Sequence, residues 1–199
     1  AGRFYDLRVA LGTRTATQPS ALLYAERARD VITVLDRSGS MQDADKITAA
    51  RNAATLLTDE LASTDRGGHV SFNQDATLDQ ALGAMTAAHR SAMEGAIAGA
   101  VASGSTSIGD GMATAADEHD AKKDPTRACG FVLLSDGYEN TSRFWADVRN
   151  DVIRNGCAIH SIALGPDANE PLLQAIAAAA PGGSYDYADV GGAVPVGSS

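Results

Sequence analysis

The chain has 199 residues, enough for one domain with a sizeable core and a little more. Hydrophobic residues make up 44%, which excludes a disordered chain. The formal net charge of −9 argues against nucleic acid and anionic membrane surfaces, both of which call for a basic face. No apolar run approaches membrane-spanning length, so no direct membrane insertion is expected. Without an initial Met or a signal-peptide pattern the sequence reads as an excised or processed piece, and its N-terminus does not reveal a compartment.

Residues 1–28 are mixed. Short apolar pieces at Phe4–Leu11 and Ala21–Tyr24 are expected to pair with a neighbouring domain or to cover a sheet edge. From Asp30 the pattern becomes regular. Val31–Leu35 reads as a buried strand. Asp43 to about Thr64 predicts a helix, with Ile47, Ala50, Ala54, Leu57 and Leu61 on one face. Gly67-Gly68 reads as a turn, and His69–Phe72 and Ala76–Leu78 as a hairpin through Asn73-Gln74-Asp75.

Ala87–Val101 predicts a second helix, whose Gly95 and Gly99 suggest close packing on the sheet, and Ser107 to about His119 a third. Asp117-Glu118-His119-Asp120 reads as a solvated helix end and not a metal site. Phe131–Leu134 is a near-continuous apolar strand of the kind buried on both faces of a parallel sheet. Arg143–Asn155 predicts a helix with Phe144, Trp145, Val148 and Val152 inward and Gly156 at its end. Ala158–Leu164 reads as another buried strand. Asn169 and Pro171 open a helix to about Ala180, and Tyr185–Ala188 is a last short strand. Gly191–Ser199 reads as a loose tail.

Strands alternating with helices imply a doubly wound α/β sheet, Rossmann-like and mostly parallel. It would have one short antiparallel edge strand and helices on both faces. The divisions expected are an N-terminal extension at 1–28, a domain at 29–190 and the tail at 191–199. Cys129 and Cys157 do not form a CxxC pair. Two buried thiols are expected, with a disulfide as the alternative, because each opens a strand in segments expected to be neighbours.

Three loops carry the chemistry. Asp36-Arg37-Ser38-Gly39-Ser40 follows the first strand and offers a carboxylate and two hydroxyls at alternate positions. Gly104-Ser105-Thr106-Ser107-Ile108-Gly109-Asp110-Gly111 opens the third helix, and Ser135-Asp136-Gly137 follows Phe131–Leu134. Asp and Ser after a strand are ordinary turn and cap residues. Their joint occurrence at the carboxyl edge of an open α/β sheet, where such folds bind ligands, is not ordinary. Asp36, Ser38, Ser40, Thr106 and Asp136 make an oxygen-only set, which suits Mg²⁺, with Mn²⁺ or Ca²⁺ as substitutes, and not a soft metal.

With those motifs in place the chain resembles the von Willebrand factor type A (vWA) domain over residues 29–190. The metal-ion-dependent adhesion site (MIDAS) of that family is carried by the Asp36-x-Ser38-x-Ser40, Thr106 and Asp136 motifs. Leu133–Thr141 and Gly156–Pro166 look most similar to the domain of calcium-activated chloride channel regulators, and Ala-rich bacterial members share much of this. The resemblance implies that Ser38, Ser40 and Thr106 contact a Mg²⁺-type ion directly, while Asp36 and Asp136 act largely through water. It also implies a protein partner that supplies an Asp or Glu, and Arg37 and Asn73-Gln74-Asp75 would surround the site.

Catalysis is not expected. The sequence holds no G-x-S-x-G elbow and no P-loop, and Arg37 is the only basic residue in the three loops. The function implied is a metal-dependent protein-binding module, with an extracellular or cell-surface setting slightly favoured over a cytoplasmic one. The alternative is a regulatory or structural domain of a larger enzyme or transport-associated assembly, where the same site would hold the parts of one machine together. A third option is a scaffold that no longer binds metal.

Overall fold

A computed structural model describes residues 3–11, 14–24 and 27–190. The expected loose tail at 191–199 lies outside the described residues. In the N-terminal segment, β1 (Arg3–Leu11) and β2 (Arg14–Tyr24) pair antiparallel in a two-stranded sheet of their own, with Arg3 opposite Tyr24 and Leu11 opposite Arg14.

The remaining described residues alternate strand and helix. In order they form β3 (Arg29–Asp36), a 3₁₀ segment (Gly39–Asp45), α1 (Lys46–Glu60), β4 (Arg66–Phe72), β5 (Ala76–Ala84), α2 (Ala87–Ala98) and α3 (Ile108–Ala121). There follow β6 (Ala128–Ser135), α4 (Trp145–Arg154), β7 (Ala158–Leu164), α5 (Glu170–Ala178) and β8 (Ser184–Ala188). The strands form a six-stranded sheet of order β5-β4-β3-β6-β7-β8, parallel except for the antiparallel edge strand β5.

Alternation along β3 explains the layering. Ile32 and Val34 pack with Phe131, Leu133, Met112, Trp145 and Leu173 under α3, α4 and α5. Leu35, one pleat over, packs with Ile47, Ala50, Ala54, Met93 and Ile97 under α1 and α2. A strand buried on both faces must read as a continuous apolar run, as Val31–Leu35 nearly does.

Several sequence-based expectations need correction. Gly67 and Gly68 form no turn but lie inside β4. A Cβ on Gly68 would stand 3.3 Å from the Leu82 backbone, a tight approach, and one on Gly67 would lie 2.6 Å from Met85 Sδ, a flexible side-chain end that would have to move aside. The edge strand β5 is longer than expected, running on to Ala84. α1 begins at Lys46 and not Asp43, because Ala44 and Asp45 take left-handed φ of 51° and 58° and break the helix before it starts. Gly95 and Gly99 do not pack on the sheet but face solvent, lining a groove of ≈ 450 Å³ beside Arg37, Asp79 and Val101. Phe144 stands at the cap of α4 and is exposed, whereas Trp145, Val148 and Val152 point inward. His119 is buried and not solvated.

Cys129 and Cys157 are bridged, with Cα atoms 4.8 Å apart, which overturns the expectation of two free thiols. Gly130 pairs with Ala158 in the register of β6 and β7, and this brings the two preceding cysteines side by side. His119 Nδ1 lies 3.5 Å from Cys157 Sγ. With both sulfurs bonded to each other, neither is a thiolate available to a metal. Thiol titration of the denatured, unreduced protein is expected to find no free thiol, and two would contradict the bridge.

Candidate metal centre

β3 and β6 are adjacent parallel strands in register, Leu35 opposite Leu134, so both end at the same edge and deliver Asp36 and Asp136 side by side. Both acids are 0% exposed. Asp36 Oδ1 accepts from the Ser38 backbone N–H at 2.8 Å, and Oδ2 accepts from the Ser135 hydroxyl at 2.6 Å. Ser135 in turn accepts from the Gly137 N–H, so the two strand ends are laced together. Ser38 is buried, Ser40 is half-buried, and their Oγ atoms stand 3.3 Å apart.

Thr106 arrives from the loop between α2 and α3. Gly39 N–H donates to Gly104 C=O at 2.9 Å, and Ser103 N–H to Arg37 C=O at 2.8 Å, which fastens this loop onto the first. Gly104 has φ of +78° and sits against Gln74, whose Oε1 would be 2.1 Å from any Cβ there. A side chain at this position would be strained by the left-handed φ and would also have to displace the end of the Gln74 side chain. Thr106 is buried, and its N–H donates to Asn140 Oδ1 at 2.8 Å.

The structure therefore brings all five residues to one edge on three mutually bonded loops. Asp136 uses only one carboxylate oxygen on the protein. Oδ2 accepts from Lys46 Nζ at 3.1 Å, and Oδ1 is buried with no hydrogen-bond partner among the described residues. A buried carboxylate oxygen without a donor is costly in a finished fold. Beside neutral hydroxyls and a second buried carboxylate, it fits a hard cation.

Three residues of the site escaped the sequence reading. Lys46 looks like any solvated helix lysine. Asn140 fits a glycosylation pattern but serves as the acceptor that holds Thr106. Glu139 Oε1 accepts from Gly109 N–H at 3.2 Å and Trp145 N–H at 2.6 Å, tying α3 and α4 to the loop. Burial raises the Glu139 carboxyl above its usual range, partly offset by those donors. Arg37 Nε is turned onto Ser71 Oγ at 3.1 Å, beside the groove.

Burial also pushes the Asp36 carboxyl up to about 6; the Ser135 and Ser38 hydrogen bonds partly offset this, and the Asp136 charge adds to it. A raised folded pKa means that the folded chain binds the proton more tightly than the unfolded one. Stability from this group is thus present at low pH and lost as pH rises from 3.8 to about 6. His69, buried on β4, acts in the opposite sense. Burial lowers it to about 4, so its contribution is lost as pH falls from 6.5 to about 4. Each shift corresponds to roughly 3 kcal/mol. In EDTA, wild-type stability is expected to change little between pH 4.5 and 6.5 on account of this pair (roughly opposite slopes). Asp36→Asn is expected to leave the histidine slope alone, with stability rising with pH, as urea titrations would show. A difference between the two proteins that does not vary with pH would contradict this.

Residues 30–191 match the family model for the von Willebrand factor type A domain. Calcium-activated chloride channel regulator 3A-1 of Mus musculus is 33% identical over 162 residues, which cover 81% of this chain and 18% of that protein. The chain thus spans less than a fifth of the length of that relative. Among solved structures, a von Willebrand factor type A protein from Catenulispora acidiphila matches with a TM-score of 0.72 at 25% identity, covering 84% of this chain and 40% of that one. Proximal thread matrix protein 1 from the mussel byssus, in a structure described as having a zinc-occupied MIDAS motif, matches with a TM-score of 0.67 at 19% identity. It covers 82% of this chain and 42% of that one, and the likeness is one of fold.

Proposed function

The chain belongs to the von Willebrand factor type A domain family, whose members generally serve as protein-interaction modules, and from that premise we propose that it captures an acidic side chain of a protein partner through a divalent cation. The observation that carries this reading is Asp136 Oδ1, buried and without a donor among the described residues, beside the equally buried Asp36. Ser38, Ser40 and Thr106 would hold Mg²⁺, or Mn²⁺ or Ca²⁺ in its place, through neutral hydroxyls, while Asp36 and Asp136 orient those hydroxyls and bound water. Once bound, the cation supplies a Lewis-acidic position open to a carboxylate.

The neutrality of the three hydroxyls matters. They leave much of the ionic charge uncompensated, so a partner's Asp or Glu completes the balance. Without metal the two buried acids repel such a ligand. Basic groups near the loops are already engaged, Lys46 on Asp136 and Asp167 and Arg37 on Ser71, which favours binding over phosphoryl transfer. The unit that carries the function is residues 29–190. The Cys129–Cys157 bridge supports an oxidising, extracellular or cell-surface setting.

The test is metal-dependent binding of an immobilised Asp-containing peptide array, compared in Mg²⁺ and in EDTA. Capture confined to Mg²⁺ and lost when Asp is replaced by Asn supports the reading. Capture that persists in EDTA overturns it.

A further inference from the structure

Lys46 is the first residue of α1 and is among the largest fully buried side chains of the protein. Lysine is almost never fully buried unless it is paired. Its Nζ donates to Asp136 Oδ2 at 3.1 Å and to Asp167, on the loop between β7 and α5, at 2.8 Å. The two partners differ sharply, since Asp136 is 0% exposed and Asp167 is 56% exposed.

The backbone is shaped around this side chain. The left-handed Ala44 and Asp45 precede Lys46 directly. Gly165, with φ of +86°, flanks it, and a Cβ there would lie 2.9 Å from Lys46 Cε. The loop that carries Asp167 also grips Asp136 through its backbone, for Asn169 N–H donates to Asp136 C=O at 2.7 Å.

We propose that Lys46 is a resident counter-charge of the metal centre. It weakens the hold of the site on its dication, and Asp167 sets how much of that charge Asp136 feels. This rests on the metal-site reading above. With Asp36, Asp136 and Lys46 all charged, a dication leaves the buried cluster one positive charge in excess, and one partner carboxylate neutralises it. Without Lys46 the cluster would already be neutral with metal alone, and the attraction for a partner's acid would fall. Asp167, more than half exposed, is screened by solvent and moderates the lysine without cancelling it. Lys46 is in this sense a positioning and charge-setting residue that touches no ligand.

Removing the lysine charge and removing its exposed partner Asp167 are expected to have opposite effects on metal affinity. Calorimetric titration with Mn²⁺ and with Mg²⁺ is expected to show Lys46→Met binding about tenfold or more tightly than wild type. Asp167→Asn frees the lysine charge to act on Asp136 alone and is expected to bind several-fold more weakly. Lys46→Met is also expected to melt lower than wild type in EDTA, because Asp136 loses its partner, and to gain more from Mn²⁺. A purely structural lysine would lower stability and leave metal affinity unchanged or reduced, and that result overturns the proposal. If Lys46→Met does not fold, Asp167→Asn decides the matter, since its side chain is exposed. Weaker binding supports the counter-charge, and equal or tighter binding refutes it. Wild type that binds neither metal refutes the metal site and this proposal together. Wild-type binding with equal affinity in Lys46→Met refutes this proposal alone.

Discussion

Mg²⁺ is expected to raise the melting temperature of the wild type, and Asp36→Ala and Thr106→Ala are each expected to abolish that rise. A ligand at a hundredfold its dissociation constant adds about 2.7 kcal/mol. For a chain of this size that is about 5–10 °C. Asp36 is expected to matter because both its oxygens are spent on fixing the site, one on the Ser38 backbone and the other on Ser135. Truncation removes a charge and also frees the loop that presents both serines. Thr106 is expected to matter for a narrower reason. Its backbone stays held by Asn140, so only the hydroxyl and methyl are lost and the fold is undisturbed. A double variant that still melts higher in millimolar Mg²⁺ would place the metal elsewhere. One that still captures the acidic peptide would show that the metal is not the recognition element.

Asp30→Ala is expected to destabilise the domain by about 3–5 kcal/mol, the cost of removing one partner from a buried ion pair. Asp30 is the second residue of β3, at the opposite edge of the sheet, and is buried. It accepts from Arg66 at the start of β4 and from Arg127 just before β6, and His119 Nε2 stands 3.7 Å away. Burial would raise its carboxyl, but the hydrogen bonds and charges of Arg66 and Arg127 more than reverse this and hold it below the usual range. The group therefore adds stability that is lost as pH falls through its lowered pKa. Without it two guanidinium groups, at most 22% exposed, lose their carboxylate. Six residue steps of extended chain, about 20 Å, separate Asp30 from Asp36, so metal affinity should be unchanged. Urea unfolding with and without Mg²⁺ separates the two readouts. A loss of stability below about 1 kcal/mol would mean that the cluster contributes little net (a surface-like pair).

The sheet was readable because its signal is local. Val31–Leu35, Phe131–Leu134 and Ala158–Leu164 are apolar runs of strand length, and each reappears as a central strand. The helices were placed by their apolar spacing and misjudged at their ends. The left-handed pair before Lys46 and the exposed Phe144 depend on neighbours that a periodic pattern does not contain. The glycines misled for the same reason. Gly67-Gly68 has the composition of a turn, yet it lies inside a strand closely approached by Leu82 and Met85, and Gly95 and Gly99 have the spacing of a packing face but meet none.

Taken alone, the sequence marked which residues end the parallel strands. With that it determined that Asp36, Ser38, Ser40 and Asp136 lie at one edge, since a parallel sheet aligns its carboxyl ends whatever the loops do. It took the packed fold to reveal that Lys46 rests on Asp136 across 90 positions, that Asn140 holds Thr106 across 34, and that Cys129 is bonded to Cys157 across 28. A lone Lys, Asn or Cys carries no periodicity. Its partner is chosen by which strands and loops become neighbours, and its charge or reactivity is set by burial, which exists only once the chain has packed.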